Sequence, residues 1–283
     1  MQEKIELNKI RTLGGIIDDS IQFFKQNWRP LLRSYFTICG FFWVVSFVVA
    51  ILNQVQTAQR LAMGESQFGA TYFLAMFFDF VSGIVIILTV LSFIALYKEK
   101  QNEAPSTEEV WSYFKYYFFR IFGSYLALIV CIAAGFVCCI IPGFYLAVVF
   151  SIIFPIMVME NATFGYAFNR SFKLIKNRWW NVLGVIIVSE IIIVVAMFSV
   201  GIPVTLVVVT TKFLTNVNPE TIGKYATVIV SHLLQFLYPI PLIAITLTYF
   251  SLNEEKDEGA LYERINNIGK HDAGTNENLT EEY

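Results

Sequence analysis

The chain has 283 residues, of which 56% are hydrophobic and 15% are charged, and its mean hydropathy is +0.60. Soluble domains carry about 25% charged residues, so this composition excludes an ordinary soluble protein and indicates that much of the surface faces lipid. The 20 Lys and Arg residues nearly balance the 22 Asp and Glu residues, which excludes a generally basic surface, and we expect no nucleic-acid partner.

The N-terminal segment, residues 1–12, carries both signs of charge. No apolar run of signal-peptide length occurs in this part of the chain, so we expect the segment to be retained. We also expect it to lie in the cytoplasm, for the reason given by the charge distribution below.

Next comes a stretch with its apolar residues on one helical face, as in an amphipathic helix. The apolar positions follow at spacings of 4, 4, 3 and 4: Leu13, Ile17, Ile21, Phe24 and Trp28. The same pattern recurs 151 residues later: Phe164, Phe168, Phe172, Ile175 and Trp179. A shift of 90 residues gives a third, partial copy: Trp111, Phe114 and Phe118. We expect three helices that lie in the cytoplasmic interface, although any interfacial helix would need this periodicity.

The chain also contains six long apolar stretches. A membrane-crossing helix needs about 20 apolar residues. Five stretches meet this length: Leu31–Leu52, Tyr72–Tyr97, Ile121–Ile141, Asn181–Val200 and Tyr225–Phe250. The sixth, Phe144–Met159, is the shortest, and a re-entrant hairpin that never crosses is its alternative. We predict that Pro142 and Gly143 turn the chain between the third and fourth spans.

The basic residues favour six crossings, since Lys and Arg accumulate in cytoplasmic loops. Seventeen of the 20 lie in alternate segments: Lys4, Lys9, Arg11, Lys25, Arg29, Arg33, Lys98, Lys100, Lys115, Arg120, Arg170, Lys173, Lys176, Arg178, Lys256, Arg264 and Lys270. The opposite side holds only Arg60, Lys212 and Lys224. Both termini are therefore predicted to be cytoplasmic.

The predicted fold is an all-α integral membrane protein with six transmembrane helices in three repeated units. Each unit has a cytoplasmic interfacial amphipathic helix, an outward span and a return span, and together the units form a membrane domain over residues 13–252. Residues 253–283 form an acidic cytoplasmic tail. Its apolar spacing predicts a helix over Asp257–Ile268, and its polar composition predicts disorder beyond Gly269.

The stretch over residues 141–180 resembles a known family. The shared pattern is a Pro-Gly turn, a short span that ends in proline and an acidic residue, and then a basic-serine pair. Its residues here are Pro142, Gly143, Pro155, Glu160, Ala167, Arg170 and Ser171. The chain resembles the membrane domain of glycerophosphoryl diester phosphodiesterases and the related six-span bacterial inner-membrane proteins.

The resemblance implies a membrane-domain role in envelope maintenance or lipid handling. In the phosphodiesterases a separate soluble domain hydrolyses the substrate with a metal held by carboxylates and histidines. This chain has no counterpart of that domain, and its two histidines are His232, in a span, and His271, in the tail. The hydrolase activity is therefore not carried over.

Three ionisable residues lie inside predicted spans, where a charge is costly and suggests function. They are Asp79, Glu190 and His232. A carboxylate and an imidazole at this depth could share a proton or bind a polar substrate group, as in proton-coupled transporters. The alternative is that these side chains bond to one another or to Ser189, Gln235 and backbone carbonyls, and hold the helices together.

A second candidate is a basic, aromatic rim at the cytoplasmic end of the fourth and fifth spans. Its residues are Glu160, Arg170, Ser171, Lys173, Lys176, Arg178 and Trp179. An ion pair between Glu160 and Arg170 could pin the third amphipathic helix to the bundle. Alternatively the rim could bind anionic lipid headgroups, although positive-inside topology explains the same charges.

The four cysteines lie in apolar stretches and have no ligand partner at metal-binding spacing: Cys39, Cys131, Cys138 and Cys139. We expect no metal, no cofactor and no catalytic residues. The leading hypothesis is a non-enzymatic membrane protein of the bacterial inner membrane that assists or scaffolds an envelope or lipid-related process. Its expected partners are membrane lipids and an envelope protein complex. The rival hypothesis is a small permease or lipid transporter.

Overall fold

The structure is a computed structural model that describes residues 4–214 and 219–273, with side chains described over 4–210 and 222–259. Its described part contains nine α-helices and one short 3-10 turn, and no strand. The helices are α1 (Leu13–Ala62), α2 (Ala70–Glu99), α3 (Thr107–Cys138), α4 (Ile140–Phe150), α5 (Ile153–Met159), α6 (Phe164–Ile175), α7 (Trp179–Leu214), α8 (Pro219–Leu234) and α9 (Pro239–Ala273).

Within the described residues, six helical stretches are long and apolar enough to cross a membrane. They are α1, α2, α3, α4 with α5, α7, and α8 with α9, so the chain has the layout of a multi-pass membrane protein. The fourth stretch, Ile140–Met159, has 20 residues, because α4 begins before the predicted start at Phe144. At about 1.5 Å per residue it is about 30 Å long, which matches the hydrocarbon thickness of a bilayer.

The bundle is built around α2. In the most apolar part of α2, 83% of the residues are buried, whereas the corresponding share in α7 is 6%. The exposed side chains of α7 are large and apolar, among them Ile191, Val195 and Phe198. The helix α2 therefore forms the centre of the bundle. Because a surface of large apolar side chains is unfavourable in water, the outer face of α7 is suited to contact lipid.

The three amphipathic stretches differ in how they join their spans. The first and second are continuous with the spans that follow, in α1 and α3, whereas the third is the separate helix α6. The separation follows from Asn177, which adopts a φ of 72° between α6 and α7. Asparagine tolerates this left-handed conformation better than most residues, so it ends one helix and allows the next to start in a new direction.

The prediction that Pro142 and Gly143 form the turn between the third and fourth spans is wrong. The chain leaves the helix at Cys139, which has extended dihedrals, and both residues lie inside α4. Pro142 is tolerated because the first turn of a helix does not use its backbone N–H groups. Gly143 instead allows close packing, since a Cβ atom there would lie 2.5 Å from Cγ of Phe136.

The sixth span is broken near its middle. The helix α8 ends at Leu234, a 3-10 turn follows over Gln235–Leu237, and α9 begins at Pro239. Proline has no N–H and cannot continue the hydrogen-bond ladder of the preceding helix, so Pro239 accounts for the break.

The helix α9 continues from the sixth span to Ala273, across the predicted start of the tail at residue 253. The predicted helix over Asp257–Ile268 is therefore part of a longer helix. Of the segment predicted to be disordered beyond Gly269, residues 270–273 are helical and residues 274–283 lie outside the described residues.

The N-terminal segment packs against the bundle. Ile5 and Leu7 are buried, and the Arg11 side chain is 2% exposed. Nε of Arg11 donates to the Asp19 carboxylate at 2.7 Å, and its Nη1 donates to the Leu7 carbonyl at 2.8 Å. This buried guanidinium therefore ties the segment to the first turns of α1.

Candidate functional site

The structure places the three intramembrane ionisable residues in different surroundings. Asp79 on α2 is exposed at the bundle surface and accepts a hydrogen bond from Ser46 Oγ on α1 at 2.5 Å. Glu190 on α7 is also exposed, whereas His232 on α8 is 5% exposed. The carboxylates therefore lie on the outside of this bundle, and only the imidazole lies within it.

Tyr238 lies near both carboxylates. Its hydroxyl, just after the 3-10 turn, lies within electrostatic range of both Asp79 and Glu190. The exposed carboxylates and the break in the sixth span therefore belong to one region of the bundle. Five well-formed cavities in the described part of the chain are lined by other residues.

His232 is enclosed by aromatic rings of α1. Its ring centroid lies 5.3 Å from that of Phe47 and 6.2 Å from that of Trp43, both edge-on. Its Nδ1 lies 2.9 Å from the Val228 carbonyl. Its Nε2 is buried without a hydrogen-bond partner, as is Oε1 of Gln235 one turn later. Two buried polar atoms at the break thus lack hydrogen-bond partners within the described residues.

Side chains of α1 donate hydrogen bonds to backbone carbonyls at the break. The Gln235 carbonyl would normally accept from the N–H of residue 239, which proline lacks. It accepts instead from the Tyr238 N–H at 3.1 Å and from the Tyr35 hydroxyl at 3.3 Å. The indole N–H of Trp43 donates to the His232 carbonyl at 3.0 Å. Broken helices are tolerated inside membranes when neighbouring helices supply such partners, so α1 stabilises the break.

The rim contains a hydrogen-bonded cluster that joins three helices. Nε of Arg170 on α6 donates to Oε1 of Glu160 at 2.8 Å, and the two residues form an ion pair. The Tyr249 hydroxyl on α9 donates to the same carboxylate oxygen at 2.9 Å. Nη2 of Arg170 donates to Asn253 Oδ1 at 2.5 Å. Because both charges are largely removed from water, the cluster fixes α6 against α5 and α9.

The other rim residues lie around this cluster. Arg178 forms an ion pair with Glu255 on α9, whose carboxylate raises the pKa of the guanidinium. Lys173 and Lys176 are exposed, and Ser171 is buried and donates to the Phe168 carbonyl at 2.8 Å. Arg178 is therefore held by a carboxylate, whereas Lys173 and Lys176 face the surroundings of the protein.

Trp179 lies at the edge of the rim, at the start of α7. Its ring stacks on Tyr145 of α4, with 5.9 Å between the centroids. Its indole N–H donates to the Tyr145 carbonyl at 3.4 Å. These contacts fix α7 against α4 just after the turn at Asn177.

Three partners in the rim were missed from the sequence: Tyr249, Asn253 and Glu255. Tyr249 and Asn253 lie 89 and 83 positions from the residues they contact, and no local spacing relates residues so far apart. A usable signal was the abrupt appearance of polar residues after Phe250, which places polar side chains at the same membrane boundary as the rim. That signal was interpreted as the start of a tail.

No protein-family model, no curated protein and no solved structure matches the chain. Among the residues that the structure describes, no group of three or more His, Cys, Asp or Glu side chains could hold a metal ion.

Proposed function

We propose that the chain is a non-enzymatic protein of the bacterial inner membrane that scaffolds or assists an envelope or lipid-related process. The observation that carries this proposal is the use of its polar residues. At one end of the bundle, Arg11, Glu160, Arg170 and Arg178 all hold segments of the chain together. Side chains engaged in this way position helices and are not available for proton transfer or nucleophilic attack.

The proposed topology has both termini in the cytoplasm. It is supported by contacts between segments that the positive-inside rule assigns to one side. The N-terminal segment contacts α9 where the backbone N–H of Arg11 donates to Ser251 Oγ at 2.9 Å. Arg120 donates to Asn161 at 2.9 Å, across the ends of the third and fourth spans. Segments with shared charge bias thus meet at one end of the bundle, as six crossings require.

We also propose that the bundle consists of three repeated units. The sequence shifts of 90 and 151 relate positions that share the same burial. Equivalent buried sets are Ser20, Val110 and Ser171, then Leu31, Ile121 and Val182, and then Ile38, Leu128 and Ser189. Within each unit these positions are 11 and 7 residues apart, so they lie on one helical face, and their common burial agrees with the proposed repeat.

The interfacial position of the amphipathic helices is part of the same proposal. In α6 the buried residues are Ala167, Ser171, Leu174 and Ile175. Phe164, Phe168 and Phe172 are half-buried beside them, and Lys173 is exposed. A helix with one face on the bundle, aromatic rings at its flank and lysine outside suits the headgroup region.

A complementation experiment tests the proposed function. A strain that lacks the chain would be screened for envelope defects, such as detergent sensitivity or altered phospholipid composition, and then complemented with the Asp79→Asn, Glu190→Gln double variant. A scaffold needs neither ionisable group, so the variant restores the envelope. Failure to restore it at normal abundance in the membrane would contradict the scaffold proposal.

The second candidate function is a small permease or lipid transporter, and the break in the sixth span favours it. Discontinuous helices form substrate sites in many transporters, and here His232 Nε2 and Gln235 Oε1 are buried without partners at such a break. The orientation of the proposed repeats counts against this candidate. All three units have the same orientation, whereas alternating-access transporters commonly use inverted repeats.

Water accessibility of the break separates the two candidates. Gln235→Cys, in a chain with its natural cysteines replaced by alanine, would be treated with a small hydrophilic thiol reagent. A transport path predicts rapid modification, and a packed scaffold predicts protection. The matched control is Ser92→Cys on α2, whose hydroxyl is also buried without a partner but lies in the central helix.

A further inference from the structure

A groove runs between α1 and α3, away from the rim and the break. One wall is formed by α1 side chains that are one helical turn apart: Arg29, Arg33, Thr37 and Phe41. The other wall is the start of α3, with Glu108 and Trp111. The groove consists of two adjoining cavities of about 380 Å³ each, which share Thr107 and Glu108.

The cavity lined by Arg29 and Arg33, here called the upper one, is the more polar of the two and carries a positive charge. Arg29 and Arg33 are exposed, and neither guanidinium forms an ion pair within the side chains that the structure describes. Glu108 is the acidic residue of the groove, so one net positive charge remains. Two guanidinium groups one turn apart suit a phosphate, because each offers several N–H donors in a planar fork.

The lower cavity, which is lined by Phe41 and Trp111, is apolar and aromatic. Phe41 is 71% exposed and Trp111 is 43% exposed, so both present apolar surface that would be unfavourable in water. From Arg29 to Phe41 the groove extends about 18 Å along α1 at about 1.5 Å per residue. One leaflet of hydrocarbon is about 15 Å thick, so the groove spans a headgroup and much of an acyl chain.

The two walls are held in a fixed arrangement. Oγ of Ser34, buried on α1, lies 3.3 Å from Oγ1 of Thr107 at the start of α3. A capping box between Ser106 and Glu109 fixes the first turn of α3. The groove is therefore part of the packed structure and does not depend on a mobile loop.

We propose that this groove binds one membrane glycerophospholipid, with the phosphate diester between Arg29 and Arg33 and an acyl chain along Phe41 and Trp111. Charge complementarity at one end and exposed aromatic surface at the other select a molecule that is both anionic and apolar. A free phosphate would leave the aromatic part of the groove uncovered. The inference rests on the membrane placement that is part of the proposed function.

Native mass spectrometry of the full chain in detergent, titrated with dioleoylphosphatidylglycerol, tests the proposal. The Arg29→Gln, Arg33→Gln double variant should bind about thirtyfold more weakly, because each basic residue near a headgroup contributes roughly a factor of five. Glu108→Gln should bind about fivefold more tightly by the same rule. Thr37→Trp, which keeps both arginines and fills the groove, should abolish the tightly bound lipid.

The matched control is the Lys9→Gln, Lys25→Gln double variant, which removes the same charge at two exposed positions outside the groove and the rim. It should bind the lipid within twofold of the unmodified chain. The proposal is overturned if this control weakens binding as much as the groove variant, or if Thr37→Trp leaves binding unchanged. A failure of the membrane placement would appear separately, as absence of the chain from the membrane fraction of cells.

Discussion

Arg170 and Glu160 form an ion pair with 2.8 Å between Nε and Oε1, across the turn that joins α5 to α6. The two side chains are 29% and 19% exposed, so water screens their attraction less than it would at an open surface. The carboxylate also accepts from Tyr249, and the guanidinium also donates to Asn253. One pair thus connects the end of α5 with α6 and α9.

Glu160→Gln should destabilise the bundle by about 1–3 kcal/mol, because it removes a charged hydrogen-bond acceptor and leaves the guanidinium partly buried without its counter-charge. Unfolding in mixed detergent micelles would measure the change. Lys173→Gln, which alters an exposed side chain in the same helix, is the control and should have little effect. Equal stability of the two variants would show that the pair does not pin α6.

Gly143→Ala should loosen the packing of α3 on α4. Its Cβ would lie 2.5 Å from Cγ of Phe136 and 2.8 Å from the Phe136 backbone nitrogen, so the helices must move apart at a cost of about 1–3 kcal/mol. Gly123→Ala on α3 is the matched control, because nothing lies within 4 Å of its Cβ position. Thermal unfolding in detergent should therefore rank Gly143→Ala well below Gly123→Ala, and the reverse order would contradict the close approach.

Tyr35→Phe should destabilise the break in the sixth span by about 1 kcal/mol, the typical worth of one hydrogen bond. The loss should shrink when Pro239→Ala is also present, because alanine restores an N–H that can bond to the Gln235 carbonyl. A double-mutant cycle on unfolding measures this coupling. Tyr116→Phe, at an exposed ring, provides the control, and additive effects of Tyr35→Phe and Pro239→Ala would rule out the shared carbonyl.

Arg11→Lys should release the N-terminal segment while keeping its charge. Lysine cannot reproduce the fork with which Arg11 contacts Asp19 and the carbonyls of Leu7 and Lys9. Hydrogen exchange over residues 4–12 should accelerate severalfold, since the buried group loses partners. Lys9→Gln, at an exposed position, should leave exchange unchanged. Protection of the segment in both variants would mean that Ile5 and Leu7 suffice to hold it.

The sequence is sufficient to predict the six long apolar helices, because hydropathy is summed over about 20 residues and tolerates local errors. The sequence is less informative about where a helix is interrupted. The sequence pattern predicts a turn at Pro142, yet this residue lies in the first turn of α4, while Pro239 marks a real break inside a predicted span. A proline interrupts a helix when its missing N–H would have bonded to a carbonyl of the preceding turn. In the first turn of a helix no such bond is made, so the effect of a proline depends on where the helix starts.

The partners of the polar residues are hard to predict because many of them lie far apart in the sequence. The spacing of Glu160 and Arg170 in the chain suggested their pairing, since only a short turn separates them. The partners Tyr249 and Glu255 come from α9 and are brought to the rim by the packing of the whole bundle. The outward position of Asp79 and Glu190 likewise depends on the rotation of α2 and α7, which apolar residues on all sides of a span do not define.

The proposed topology has six membrane crossings with the basic segments on one side, and cysteine accessibility tests it most directly. Gln67→Cys, in the exposed link between α1 and α2, and Lys173→Cys, on α6, would be placed singly in a chain whose natural cysteines are replaced by alanine. In spheroplasts, a membrane-impermeant maleimide should label Gln67→Cys at once and Lys173→Cys only after the membrane is permeabilised. Labelling of Lys173→Cys in intact spheroplasts would contradict the topology and place α6 on the outer side.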